Sequence, residues 1–287
     1  MPAQAQQSVI DGRESLSVSC TDGGRLHVEA AGSGDIPCVL IHGFADGAYI
    51  WDDFVRRAGT AQRLFSVDLR GHGESTWHVD GDYGVHAHVN DVVLMIESLR
   101  LRRCVLVGHS LGGTVALRVA ALLPERVCGL VMVDTNMNEN SMGKAHIRRE
   151  IADSQSGFES VAAYAAWLMR RRLMAPQELL QQIASRALRR RADGTFELKI
   201  DPRLAQDADD EGVDLWPMLT RIACPVLLLR GAYSGVLQQQ EAEQMVRELR
   251  QASLRVIPRA GHSIMIDNGS GFLQVTLPFL RTFVTRS

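Results

Sequence analysis

Short apolar runs recur along this chain, separated by stretches whose apolar residues return every three or four positions. The runs are Ile36 to Ile41, Leu64 to Val67, Cys104 to Val107, Gly129 to Val133, Pro225 to Leu229 and Ser253 to Ile257. Continuous runs of this length predict strands buried on both faces. Between them, Val89, Val92, Val93, Ile96 and Leu99 mark one face of a helix. Further helices are expected from about Ala48 to Ala58, after Gly112, and from about Phe272 to Val284, with Pro278 near the middle of the last. Ser15 to Cys20 and Arg25 to Ala31 flank Thr21-Asp22-Gly23-Gly24 and read as a β-hairpin. Strands alternating with helices imply a parallel sheet with right-handed crossovers.

The alternation stops at Asp134. From about Thr135 to Leu215 the chain reads as mostly helical, with Phe158, Val161, Ala165, Leu168 and Leu173 roughly on one face and breaks at Asp193-Gly194 and Asp201-Pro202. A helical block between two strands of one sheet is a cap. The expected division is a core of residues 1–135 and 216–287 and a cap of residues 136–215.

Composition narrows the classes. At 287 residues, 46% apolar and 22% charged, the chain suits one globular core with an insertion. A formal charge of −2 provides no global field for nucleic acid. The five cysteines, Cys20, Cys38, Cys104, Cys128 and Cys224, are scattered without a CxxC pair and read as reduced core residues. His86 and His88 lack neighbours in ligand spacing, so no metal is expected. Met1 to Ser8 has no signal-peptide pattern, and no apolar run approaches the roughly 18 residues of a membrane span. The expectation is a cytoplasmic enzyme without membrane attachment.

The chemistry centres on Gly108-His109-Ser110-Leu111-Gly112, placed between an apolar strand and a helical run. Strand, sharp turn and helix with a serine at the turn form a nucleophile elbow, whose glycines leave room for a strained serine. Ser110 is the expected attacking group. A free hydroxyl is a poor nucleophile at neutral pH and needs a base.

With His42-Gly43-Phe44, Asp68 to Ser75, the Ser110 elbow and Gly261-His262-Ser263 in this order, the chain resembles the α/β-hydrolase superfamily over essentially its whole length. The resemblance implies a mostly parallel eight-stranded sheet with helices on both faces and an inserted helical cap. It makes His262, after the last strand, the base. It places the oxyanion hole at the backbone N–H groups of Phe44 and Leu111. His42, His72, Asp68 and Arg70 belong to family turns and are expected to be structural. No metal or organic cofactor is implied.

The triad acid departs from the common pattern. Where many relatives have Gly-x-x-Asp, this chain reads Gly231-Ala232-Tyr233-Ser234, and no Asp or Glu occurs between Asp214 and Glu241. Asp134, at the end of the strand after the elbow helix, is the expected acid; a Ser110–His262 dyad and another carboxylate remain alternatives. Substrate contacts are expected from His109, Trp51, Met137 and Trp167. Phe44, Tyr49, Met142, Leu168, Met169 and Leu173 are further wall candidates. Residues 144–191 hold ten Lys/Arg against Glu150, Asp153, Glu159 and Glu178, which reads as a solvated face or as a docking patch for an acyl carrier protein or coenzyme A.

The function this implies is a serine hydrolase acting on an ester of a small or medium acyl group. A thioesterase or acyltransferase, a cofactor-independent dioxygenase using the histidine–aspartate pair, and a non-catalytic binding member of the fold are the alternatives. A haloalkane dehalogenase is disfavoured because its nucleophile is an aspartate.

Overall fold

A computed structural model describes residues 6–10, 13–137, 142–206 and 214–283, without the side chains of 6–10 and 142–147. The start of the chain, the side chains of Met142 and Lys144, and part of the acidic stretch before Asp214 therefore lie outside the described residues.

The expected eight strands are β2 (Arg13–Ser19), β3 (Arg25–Ala31), β4 (Cys38–Ile41), β5 (Leu64–Val67), β6 (Cys104–His109), β7 (Val127–Val133), β10 (Val226–Gly231) and β11 (Ala252–Ile257). A ninth, β1 (Gln6–Ile10), extends the edge by pairing with β2. The order is β1-β2-β3-β5-β4-β6-β7-β10-β11. The pairs from β1 to β5 are antiparallel and those from β5 to β11 parallel. This is the α/β-hydrolase fold.

Patterning explains the two kinds of strand. In β2 and β3 every second residue is buried, as suits an antiparallel margin with one wet face. In β4, β5 and β6 every residue is buried. Alternate residues of these strands feed separate cores. Val39, Ile41 and Leu106 join Val92, Met95, Val115 and Leu117 of α2 (Val85–Ser98) and α3 (Leu111–Leu122). Cys38, Leu40 and Val107 join Phe54 of α1 (Asp52–Ala58) and Phe272 of α10 (Gly269–Arg281).

Between β7 and β10 run α4 (Met142–Ser154), α5 (Val161–Met169), α6 (Gln177–Ala187) and α7 (Trp216–Leu219). This segment is not wholly helical. Leu188–Arg190 (β8) and Phe196–Leu198 (β9) form a hairpin. Its turn contains Asp193, which accepts the Thr195 N–H at 2.9 Å, and Gly194 at φ 90°. Asp-Gly here closes a hairpin rather than interrupting helices. Beyond it, α8 (Gln239–Glu248) and α9 (Ile264–Asp267) complete the chain order. Among the described residues, no helix is long and apolar enough to cross a membrane.

Candidate active site

Parallel register brings the ends of β4, β6, β7 and β10 to one edge of the sheet: Ile41 pairs with Gly108, His109 with Val133, and Val133 with Leu229. Ser110 leaves β6 at φ 52°, ψ −119°, a left-handed conformation that strains a side-chain-bearing residue. Close packing holds it there. A Cβ on Gly108 would lie 2.2 Å from Gly112 O, and one on Gly112 would lie 2.3 Å from Ile41 O. The hydrogen bonds of α3 begin with Gly113 and Thr114 N–H donating to Ser110 O, so Leu111 N–H precedes the ladder.

Asp134 leaves β7 at φ 48° and is fully buried. Its carboxylate gathers three donors. Gly231 N–H donates to Oδ1 at 3.0 Å, Ser234 Oγ–H to Oδ2 at 2.5 Å, and His262 Nδ1–H to Oδ2 at 2.8 Å. A carboxylate only accepts, so this contact puts the proton on Nδ1 and leaves Nε2 of a neutral ring with a free lone pair. Ser234 Oγ in turn accepts the N–H groups of Val236 and Leu237, both at 3.1 Å. Ser234 thus occupies the loop after β10 as an uncharged link between that loop and Asp134.

The loop that carries Phe44 is braced by buried histidines. His72 Nε2 accepts Ala45 N–H at 3.1 Å while Nδ1–H donates to Arg70 O at 2.9 Å. His42 Nε2 accepts Leu69 N–H at 2.9 Å and Nδ1–H donates to Gly43 O at 2.7 Å. Burial holds both below the usual histidine range, His72 at about 3. Asp68 accepts N–H from Ala48 and Glu74, and Arg70 grips Asp91 with two bonds of 2.6 and 2.7 Å. These contacts give Asp68 and Arg70 a structural role in the turn. His88 is buried, and among the described residues no cluster of His, Cys, Asp or Glu is arranged to hold a metal.

Ser110 and His262 open into a cleft of about 810 Å³. His109 and Trp167 line it, as do Phe44, Tyr49, Leu168 and Leu173. His109 Nε2–H donates to His262 O at 3.0 Å, and its ring lies 4.6 Å from that of His262. Burial, then the neighbouring His262, pushes His109 well below the usual range. Two expected contacts are corrected. Trp51 has no exposed surface and packs 6.0 Å from Phe272 beneath the sheet, because its helical turn faces α10. Met137 is 4% exposed, belongs to the opposite core and is tied by its N–H to Glu241 at 2.8 Å. Neither side chain lines the cleft. Met169 packs against the core as well.

The lining also contains residues not singled out as substrate contacts from the sequence, among them Tyr164, Arg172 and Asp267. The Arg170-Arg171-Arg172 run was a signal, but it reads equally as surface charge. A larger groove of about 1320 Å³ contains none of Ser110, Asp134 or His262. Its Arg13, Arg186, Glu29 and Asp52 pair with one another.

The chain belongs to the alpha/beta hydrolase family, whose model matches residues 38–275. It is 26% identical over 251 residues to an esterase of Mycobacterium tuberculosis, covering 85% of this chain and 82% of the relative. It is 28% identical over 240 residues to a 2-(acetamidomethylene)succinate hydrolase of Mesorhizobium japonicum, covering 83% and 85%. A crystal structure of E-2-(acetamidomethylene)succinate hydrolase superposes with a TM-score of 0.84 at 24% identity, over 94% of this chain and 99% of the other.

Proposed function

We propose that the protein is a serine hydrolase cleaving carboxylic esters of small or medium acyl groups through an acyl-enzyme. The observation that carries this reading is the 2.8 Å bond from His262 to buried Asp134, with Ser110 strained at the elbow of the same cleft. Ser110 Oγ attacks the ester carbonyl. His262 Nε2 takes its proton, and Asp134 stabilises the imidazolium and fixes the tautomer. The N–H groups of Phe44 and Leu111 hold the oxyanion. His262 then protonates the leaving alcohol, and water activated at the same nitrogen releases the acid. Residues 136–215 act as the lid over a core of 1–135 and 216–287.

Support comes also from the esterase relative and from a cavity volume within the ordinary range for small-molecule sites. Carrier docking on the basic lid is less well supported: Arg171, Arg172, Arg186, Arg189 and Arg191 are all engaged in ion pairs. The test is labelling with a fluorophosphonate, followed by peptide mapping and ester turnover. Modification of Ser110, lost in Ser110→Ala together with turnover, is expected. An unlabelled wild-type protein, or full esterase activity in Ser110→Ala, overturns the reading.

A further inference from the structure

Three polar side chains meet in the cleft that the ester chemistry above leaves unused. Arg172 follows α5 and reaches between two site loops. Its Nη1–H donates to Ser263 Oγ at 2.5 Å, and Nη2 approaches Asp46 Oδ1 at 3.4 Å. Ser263 follows His262, and Asp46 lies two residues beyond Phe44. The guanidinium therefore stands beside both the base and the oxyanion loop. It has five N–H donors, and the contact to its acid is long.

Tyr49 and Tyr164 line the same cavity and are 8% and 6% exposed. Their hydroxyls lie within the field of Arg172, and each in turn acts on it. Among the described residues neither phenol is bonded to a protein partner. A buried phenol O–H ordinarily finds an acceptor. The acids nearby do not fill this role. Asp46 faces the Arg172 guanidinium, and Asp267 accepts Gly261 N–H at 2.8 Å. Trp167, Leu168 and Ile183 supply an apolar wall that lowers the local dielectric and strengthens any charge contact made there.

We propose that Arg172, Tyr49 and Tyr164 form a carboxylate-recognising subsite, so that the preferred ester carries an ionised carboxylate in addition to its scissile bond. This rests on the ester-cleaving reading of Ser110. A guanidinium edge flanked by two hydroxyl donors suits the planar, acceptor-only carboxylate, and charge-assisted bonds of this kind are about twice as strong as neutral ones. An uncharged ester in the same place would leave the donors incompletely paired.

Binding tests the subsite apart from turnover. The Ser110→Ala protein is titrated calorimetrically with monomethyl glutarate and with dimethyl glutarate, which differ in the free carboxylate. The monoester is expected to bind at least about tenfold more tightly, equivalent to about 1.4 kcal/mol. Adding Arg172→Gln should bring the two within about twofold, and Tyr164→Phe should give an intermediate ratio. Equal affinities, no binding of either ester at millimolar concentration, or a preference that survives both substitutions overturns the subsite. If Arg172→Gln fails to fold, the Tyr164→Phe ratio decides. Fluorophosphonate labelling and turnover of the diester by the wild-type protein separately test the hydrolase reading. Discrimination without labelling would retain the subsite and reject that reading.

Discussion

At the scale of single residues, Asp134 and Ser234 lie on different loops yet share one hydrogen-bond network with His262. Asp134 supplies the charge from β7, while Ser234 donates to Oδ2 and collects two N–H groups of its own loop. Arg230 Nε–H reinforces that loop by donating to Leu237 O at 2.7 Å. The two substitutions should therefore differ sharply. Asp134→Asn keeps the volume but can present an amide N–H to the ring, favouring the unproductive tautomer; kcat should fall by about 10³–10⁴. Ser234→Ala removes one donor to a carboxylate that retains two, and should cost about tenfold or less. Steady-state kinetics on a neutral ester, with circular dichroism as a check of folding, compares them. Equal losses would mean that Asp134 has no special relation to His262.

At the scale of elements, the elbow works because backbone approaches backbone where side chains would ordinarily intervene. Gly108→Ala would place a methyl 2.2 Å from Gly112 O, and neither strand nor helix can yield without moving a strand flanked by β4 and β7. It should lower the melting temperature by more than about 5 °C, whereas Gly235→Ala, with nothing within 4 Å, should shift it by about 1 °C or less. Thermal unfolding of both variants is the measurement, and similar shifts would contradict the packing argument. The same contrast between backbone and side chain explains what was legible in the sequence. Strands such as Cys38–Ile41 announce themselves because every residue is buried, and the placement of Ser110, Asp134 and His262 follows from strand ends meeting at one edge. By contrast, α8 buries only Ala242 and Met245, so its apolar period is too sparse to see. The β8–β9 hairpin is three residues per strand within an otherwise helical segment. Trp51 misleads because it lies near Phe44 in sequence while its ring packs on Phe272 of α10. Arg172 depends on where the lid comes to rest, and no local pattern encodes that.

For the whole molecule, the consequence of this architecture is a dependence of stability on neutral histidines. His42, His72, His88 and His109 are all buried and all pushed below their ordinary value, chiefly by desolvation. The unfolded chain takes up protons on these rings as pH falls through about 6.5, while the folded protein does not. Their stabilising contribution is therefore complete above that value and declines below it. For His72, held at about 3, the loss between pH 7.5 and pH 5 is about 2 kcal/mol. His27, raised by its bond to Asp68, and the half-buried carboxyl groups of Asp52 and Asp267, also raised, act in the opposite direction. The four depressed rings outnumber them, so the urea midpoint should fall as pH drops from 7.5 to 5. The neutral ring has a functional counterpart, because His72 Nε2 accepts Ala45 N–H, and Ala45 follows Phe44, the proposed oxyanion donor. Replacing His72 with Gln should flatten the pH dependence of stability while lowering kcat through a looser loop at Phe44. Urea unfolding of both proteins at the two pH values, with kcat at pH 7.5, tests the link. A wild-type midpoint that is level or rises toward pH 5 would show that these rings are protonated within the fold, and that they do not brace the loop as neutral acceptors.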